Sequence, residues 1–235
     1  MLPPGTVFIT GTDTDVGKTF VSCGILEAAA ARGLSTAACK PVAAGARDTG
    51  EGLRNGDALA LLRRATLPLS YQEVNPLCFE RAVAPHVAAA LTGRRISVTR
   101  LAGMCRGLLL HRADLTVIEG AGGWKVPLNN RELLSDLVRE IRVPVVMVVA
   151  MRLGCLNQAL LTAQAIRQDG LQLAGWIANQ TQPGMPCYQE NIDALKSWLA
   201  APLLAEIGFV KDFSETSSCA ASIDIDRLLA TLVPE

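Results

Sequence analysis

A chain of 235 residues, 50% hydrophobic and 19% charged, is long enough for one large α/β core and excludes extended disorder, which needs low hydrophobicity and high charge. Its 22 acidic and 22 basic side chains cancel, which argues against a nucleic-acid partner, because neutralising phosphates calls for a basic face. Seven scattered cysteines without paired spacing and two distant histidines exclude a disulfide framework and a zinc site, and point to reduced thiols in a cytoplasmic protein.

The start, MLPPGTVFIT, has no basic n-region and enters an apolar run at once, so no signal peptide is expected. Short apolar runs at 6–10, 34–39, 115–119, 143–150, 171–179 and 203–207 read as strands, several of them β-branched throughout, as parallel strands covered on both faces should be. The most apolar, PVVMVVAM, is far too short to span a bilayer, so no membrane partner is expected. Helical patterns lie between the runs, at 19–32, 57–64, 98–112, 133–141, 155–168 and 187–199, with Gly33 and Gly170 placed as C-terminal glycines. The alternation predicts a doubly wound, mostly parallel sheet flanked by helices, with ligands at the carboxyl ends of the strands. No linker appears, so residues 1–235 read as a single domain with a helical tail from 211 onward, and the glycine-rich stretch 41–56 reads as a working loop.

Polar residues just after the apolar runs carry the chemistry. In FITGTDTDVGKTF, Gly17-Lys18-Thr19 stands where a helix follows a strand, the context of a phosphate-binding loop. Free backbone N–H groups and the helix dipole favour phosphate there; Lys18 would reach the outer phosphates and the Thr19 hydroxyl would ligate magnesium. Five residues separate Gly11 from Gly17, however, where the usual pattern has four. Lys40 ends the second apolar run, either as a solvated lysine or as a cation for developing charge. Asp57 opens a helix, as an N-cap or as a magnesium carboxylate; taken alone, the segment favours the cap. In ADLTVIEGAGGW, a strand delivers Glu119 to its carboxyl end and glycines follow, which suits magnesium and a close backbone approach to phosphate. The Arg152–Ala159 stretch begins a helix whose free N–H groups suit a carboxylate or ordinary capping. Asn179 ends a strand as an adenine-pairing amide or a turn residue. His86 and Trp124 read as packing or surface residues ahead of pocket-lining ones, and the cysteines read as core.

Taken in order, GTDTDVGKT, KPVA, EGLRN with Asp57, VNP, EGAGGW, LGCLNQALLTAQAI and GW-I-AN resemble the dethiobiotin synthases, ATP-dependent carboxylases of biotin biosynthesis with a phosphate-loop NTPase fold. The resemblance runs from about Val7 to Val210. It implies an ATP- and magnesium-dependent ligase that carboxylates 7,8-diaminononanoate with CO2 and closes its ureido ring through a carbamic-phosphoric anhydride. By the same resemblance Asp15, Val16, Gly17, Lys18, Thr19 and Phe20 wrap the phosphates, with Gly120, Ala121 and Gly122 nearby. Thr19, Asp57 and Glu119 surround magnesium; Lys40, Lys18 and Thr14 are the catalytic set. Asn179 and Gln180 meet adenine, and Gly208, Phe209, Val210 and Glu215 close its pocket. Ala44 and Gly122 face the diamine, while Gly154, Cys155, Leu156 and Asn157 cap the carboxylate of substrate in a neighbouring subunit, which implies a homodimer. Departures from the family pattern are Ala44 where serine is usual, Asp15 where glutamate is common, Gln180 where aspartate is frequent and Gly208 where proline is. A rival reading is a switch ATPase of the chromosome-partitioning or septum-positioning kind. Those proteins carry a second lysine near the start of the loop, where this chain has Thr12-Asp13-Thr14.

Overall fold

The computed structural model describes residues 5–211 and 216–232. In chain order the elements are β1 (Thr6–Gly11), α1 (Lys18–Ala31), β2 (Thr36–Cys39), β3 (Val42–Ala43), β4 (Arg47–Asp48), β5 (Leu53–Arg54), α2 (Gly56–Arg64) and α3 (Tyr71–Val74). There follow β6 (Leu77–Cys78), α4 (Pro85–Leu91), α5 (Val98–Leu109), β7 (Leu115–Glu119), α6 (Leu134–Ile141) and β8 (Val145–Ala150). The last described elements are α7 (Cys155–Gln168), β9 (Leu173–Asn179), α8 (Tyr188–Trp198), β10 (Leu203–Ile207), α9 (Thr216–Ser222) and α10 (Ile225–Leu232).

Six strands form one parallel sheet in the order β10-β9-β8-β1-β7-β2. The chain runs outward from β1 to β2, returns through β7, and then winds the other way through β8, so the sheet changes direction at the carboxyl end of β1. That is where an open α/β sheet leaves a crevice for ligand. The strand period of two divides the core between the faces. Along β8, Val146 and Val148 join the larger cluster, while Met147 and Val149 join a second one with Trp176, Ile192 and Leu195 under α7 and α8. All six residues of β8 are therefore buried, which explains a run with no polar alternation.

The predicted sheet and its strands are present, but three strands start later than their apolar runs. Gly33 (φ +77°) and Gly170 (φ +74°) close α1 and α7 in the same way. Gly33 N–H donates to Ala30 and Leu34 N–H to Ala29 (2.9 and 3.2 Å); Gly170 and Leu171 repeat the pattern on Arg167 and Ile166 (3.0 and 3.2 Å). This Schellman closure takes the first apolar residues of both runs into the helix end before the strand can begin. In the third, Pro144 has no N–H for the ladder, and β8 begins just after it.

The stretch 41–56 holds more order than a loop. Val42–Ala43 pairs in parallel with Leu77–Cys78, and β4 and β5 make a small antiparallel hairpin. Two-residue strands carry no periodicity, so no pattern announces them. Outside the sheet, α9 lies along α1, where a Cβ on Gly24 would stand 2.5 Å from the Cys219 sulfur. Only glycine lets the two helices approach so closely.

Candidate active site

The loop from β1 to α1 is held from several sides. Its six-residue span from Gly11 turns so tightly that a Cβ on Gly11 would lie 2.5 Å from Val16 Cγ2 and 2.9 Å from the Asp13 carbonyl. Asp15 (φ +56°) and Gly17 (φ +86°) both adopt left-handed backbone, which glycine enters without cost and aspartate tolerates in tight turns. Within this longer loop Asp13 is fastened. Its Oδ2 accepts from Arg152 (3.3 Å) and Gln158 (3.2 Å) at the beginning of α7, and its Oδ1 accepts from Thr14 N–H (2.7 Å). Asn179 Nδ2 donates to the Val16 carbonyl at 2.8 Å, close enough that a Cβ on Gly17 would collide with it at 2.2 Å.

A cleft of about 1000 Å³ opens beside this loop. Lys18, Thr19, Lys40, Asp57, Glu119 and Gly122 line its polar end, and residues 82–85 with Val126 and Pro127 line an apolar one. At the polar end Glu119 is wholly buried. Its Oε1 accepts from the Thr19 hydroxyl (2.7 Å) and from Lys40 Nζ (2.5 Å), while Oε2 is buried with no hydrogen-bond partner among the described residues. Lys40 Nζ also stands 3.1 Å from Asp57 Oδ2. Burial alone would strip charge from Lys40, but Glu119 and Asp57 outweigh it and raise its pKa above the ordinary lysine value. Lys18 differs: burial pushes it down to about 8, Glu119 pulls it back and Lys40 adds to the fall. Its Nζ donates to the Asp13 carbonyl at 3.1 Å.

Asp57 is not the cap of its helix. Asn55 (φ −97°, ψ 137°) takes that place, and its side chain accepts from the N–H groups of Asp57 and Ala58 (3.1 and 3.2 Å). The cap reading of Asp57 is thus corrected, because the residue two positions earlier satisfies the free N–H groups and leaves the Asp57 carboxylate for Lys40. Asn55 follows the preference for an Asn just before a helix, a signal the sequence carries.

The remaining expected residues lie in three places. Thr14, Asp15, Phe20, Ala44 and Ala121 line the cleft with the groups above. Asn179, Gln180, Gly208, Phe209 and Val210 lie beyond it, where β9 and β10 end side by side and Gln180 N–H donates to the Ile207 carbonyl (2.9 Å). Gly154, Cys155, Leu156 and Asn157 begin α7 away from the cleft, with Cys155 buried, Gly154 and Asn157 exposed and the neighbouring Leu153 96% exposed. Glu215 lies outside the described residues. Trp124 packs edge-on to Phe8 (6.2 Å between centroids) and donates to Asp169 (2.8 Å), a packing role as its sequence context suggests.

The model of a family described as AAA domain matches residues 5–217. The ATP-dependent dethiobiotin synthetase BioD of Cellvibrio japonicus is 55% identical over 93% of this chain and 94% of its own length. The synthetase of the same name from Pseudomonas paraeruginosa is 52% identical over 94% of this chain and 96% of its own. Among solved structures, the MinC:MinD cell division protein complex of Aquifex aeolicus aligns at 13% identity and a TM-score of 0.58, covering 98% of both chains. The signal recognition particle receptor FtsY of Elizabethkingia anophelis in complex with GDP aligns at 13% identity and a TM-score of 0.55, covering 94% of this chain and 64% of its own. At such identities the last two likenesses are of fold alone.

Proposed function

We propose, from the premise that this chain belongs to the family of ATP-dependent dethiobiotin synthetases, that it makes dethiobiotin from 7,8-diaminononanoate, CO2 and ATP. CO2 adds to one amine, which loses a proton and becomes a carbamate. A carbamate oxygen attacks the γ-phosphorus and ADP leaves. The second amine then attacks the carbonyl carbon of the mixed anhydride, closes the ureido ring and expels phosphate. Such a reaction asks for positioning and charge stabilisation more than for covalent help.

The observation that carries this reading is Lys40. A buried ammonium held by two carboxylates, at the end of the strand next to Glu119, supplies positive charge where an anionic carbamate must approach an anionic triphosphate. Lys18 flanks the outer phosphates from the other side, with Thr14 near the reacting atoms, and residues 15–20 wrap the phosphates. Magnesium fits the chain well: the Thr19 hydroxyl, Asp57 and Glu119 are hard oxygen donors, and the unpartnered Glu119 Oε2 is a buried acceptor awaiting a cation. When bound, it would neutralise charge on the outer phosphates. Gly120, Ala121 and Gly122 let the backbone approach the phosphates, and Gly122 and Ala44 border the diamine. Asn179 and Gln180 meet the adenine, with Gly208, Phe209 and Val210 closing its pocket. The start of α7, from Gly154 through Cys155 and Leu156 to Asn157, caps the substrate carboxylate of the partner in a homodimer. Leu153 and Leu161, 96% and 58% exposed on that side, support a covered face. We read the whole as a single cytoplasmic domain.

The test is ADP release with ATP, magnesium, bicarbonate and 7,8-diaminononanoate, omitting each in turn. Release should require all four. ADP formation that ignores the diamine would replace this reading with a plain switch ATPase.

A further inference from the structure

One hydroxyl ties together the two wall segments that present Lys40 and Asp57. Tyr71 opens α3, and its ring and hydroxyl are buried behind the polar end of the cleft, outside its lining. The hydroxyl accepts from Asn55 N–H at 2.7 Å and donates to Asn75 Oδ1 at 2.9 Å. Each asparagine carries the connection onward. Asn75 Nδ2 donates to the Lys40 carbonyl at 2.6 Å and to the Leu77 carbonyl at 3.3 Å. Asn55 accepts from the Asp57 N–H through its Oδ1 at 3.1 Å, and its Nδ2 donates to the Ala44 carbonyl at 3.0 Å. Both asparagines are buried, and Lys40 N–H donates to the Val74 carbonyl at 2.7 Å. The Arg54 guanidinium lies 4.4 Å over the Tyr71 ring and presses it in place.

We propose that Tyr71 is a positioning residue: its hydroxyl sets the separation of Lys40 and Asp57, and so the place of the Lys40 ammonium against the reacting oxygens. The role rests on the synthetase reading of the cleft. A chain of hydrogen bonds runs from the Lys40 carbonyl through Asn75, Tyr71 and Asn55 to the Asp57 N–H without leaving the protein interior. Each member has its partners, and such a buried, satisfied network specifies one arrangement. Removing the hydroxyl leaves the Asn55 N–H and Asn75 Oδ1 without their partner while touching neither substrate nor nucleotide. The phosphate loop is anchored elsewhere, by Val148, Arg152, Gln158 and Asn179, so ATP binding should lose little beyond what Asp57 contributes through magnesium.

Tyr71→Phe tests this, compared with wild type for diamine-dependent ADP release and by crystal structure. The expected result is a fall in kcat of about tenfold or more, since displacements near 1 Å cost that much, with KM for ATP within about twofold of wild type. The structure should show the 3.1 Å Lys40–Asp57 contact lengthened. Asn75→Ser, which withdraws the arm from the Lys40 carbonyl and leaves the ring in place, serves if Tyr71→Phe does not fold, and should also lower kcat alone. Unchanged kcat per folded molecule, or a kept Lys40–Asp57 contact, would overturn the role, as would a loss of thermal stability with both kinetic constants intact. Failure of the synthetase reading itself would show first in the wild type, as turnover without the diamine; the crystallographic distance is read regardless of turnover.

Discussion

Lys18 and Lys40 look into the same cleft and are almost equally buried, yet the protein treats them in opposite ways. Lys40 has two carboxylates at 2.5 and 3.1 Å, and its charge is secured before any ligand arrives. Among the described residues Lys18 Nζ meets a backbone carbonyl and no carboxylate at contact distance, and burial pulls its pKa down to about 8. A buried cation without an anion is a site short of negative charge. In the proposed reading the phosphates of ATP supply it: Lys18 is completed by its ligand, and Lys40 by the fold.

This contrast can be broken most sharply at Lys40. Lys40→Ala should lower turnover by about a hundredfold or more, the scale seen when one preorganised electrostatic group is removed, while calorimetry finds ATP binding kept. Near-normal turnover would take Lys40 off the reacting atoms. Lys18→Ala should do the reverse, weakening ATP binding by about tenfold, as expected for a charge-assisted contact to phosphate, and an unchanged dissociation constant would erase the distinction. A smaller effect is expected on the wall between them. Ala44→Ser adds a hydroxyl on the cleft lining and should lower KM for the diamine several-fold, worth about 1 kcal/mol. An unchanged or raised KM would mean that this position offers the diamine no partner.

The smallest effect concerns α3, which underlies the Lys40 side. Hydrogen bonds from the Ser70 side chain and backbone, with His111 beside them, hold the Glu73 carboxyl down to about 2. A depressed carboxyl stabilises the fold fully above its unfolded value of about 4.3, and that contribution is lost as pH falls toward the folded value. Glu73→Gln should thus lower Tm slightly at neutral pH and flatten its decline between about pH 4.5 and about pH 2.5. Parallel Tm profiles for the two proteins would remove Glu73 from the acid response.

The two walls were also unequally legible. Gly17, Lys18 and Thr19 are consecutive, and their meaning needs only a strand before and a helix after. Lys40 and Glu119 each stand at the end of a recognisable strand, so their convergence follows from the sheet; Asp57 opens a helix, and only the family resemblance placed it with them. What holds them did not show. Asp13 meets Arg152 and Gln158 across 139 and 145 residues of chain, and no local pattern marks such a bond. Tyr71 sits in a four-residue helix whose hydroxyl acts sideways, through two asparagines that look like ordinary turn residues. Asn75 belongs to the VNP motif, which gives it no role by itself; its amide acts through space, on the Lys40 carbonyl.

The burial of α1 decides which parts of the site can yield. Eleven of its fourteen residues are buried, it lies against β1, β2 and β7 on one side, and α9 is seated on Gly24 along another. A helix enclosed in this way cannot slide or tilt without repacking its neighbours, because interiors at crystal density have no slack to absorb the motion. The phosphate end of the cleft is an anvil. In the proposed reading, adjustment to the size of an incoming substrate falls to Ala82, Val83 and Ala84, which line the cleft and stand open to water.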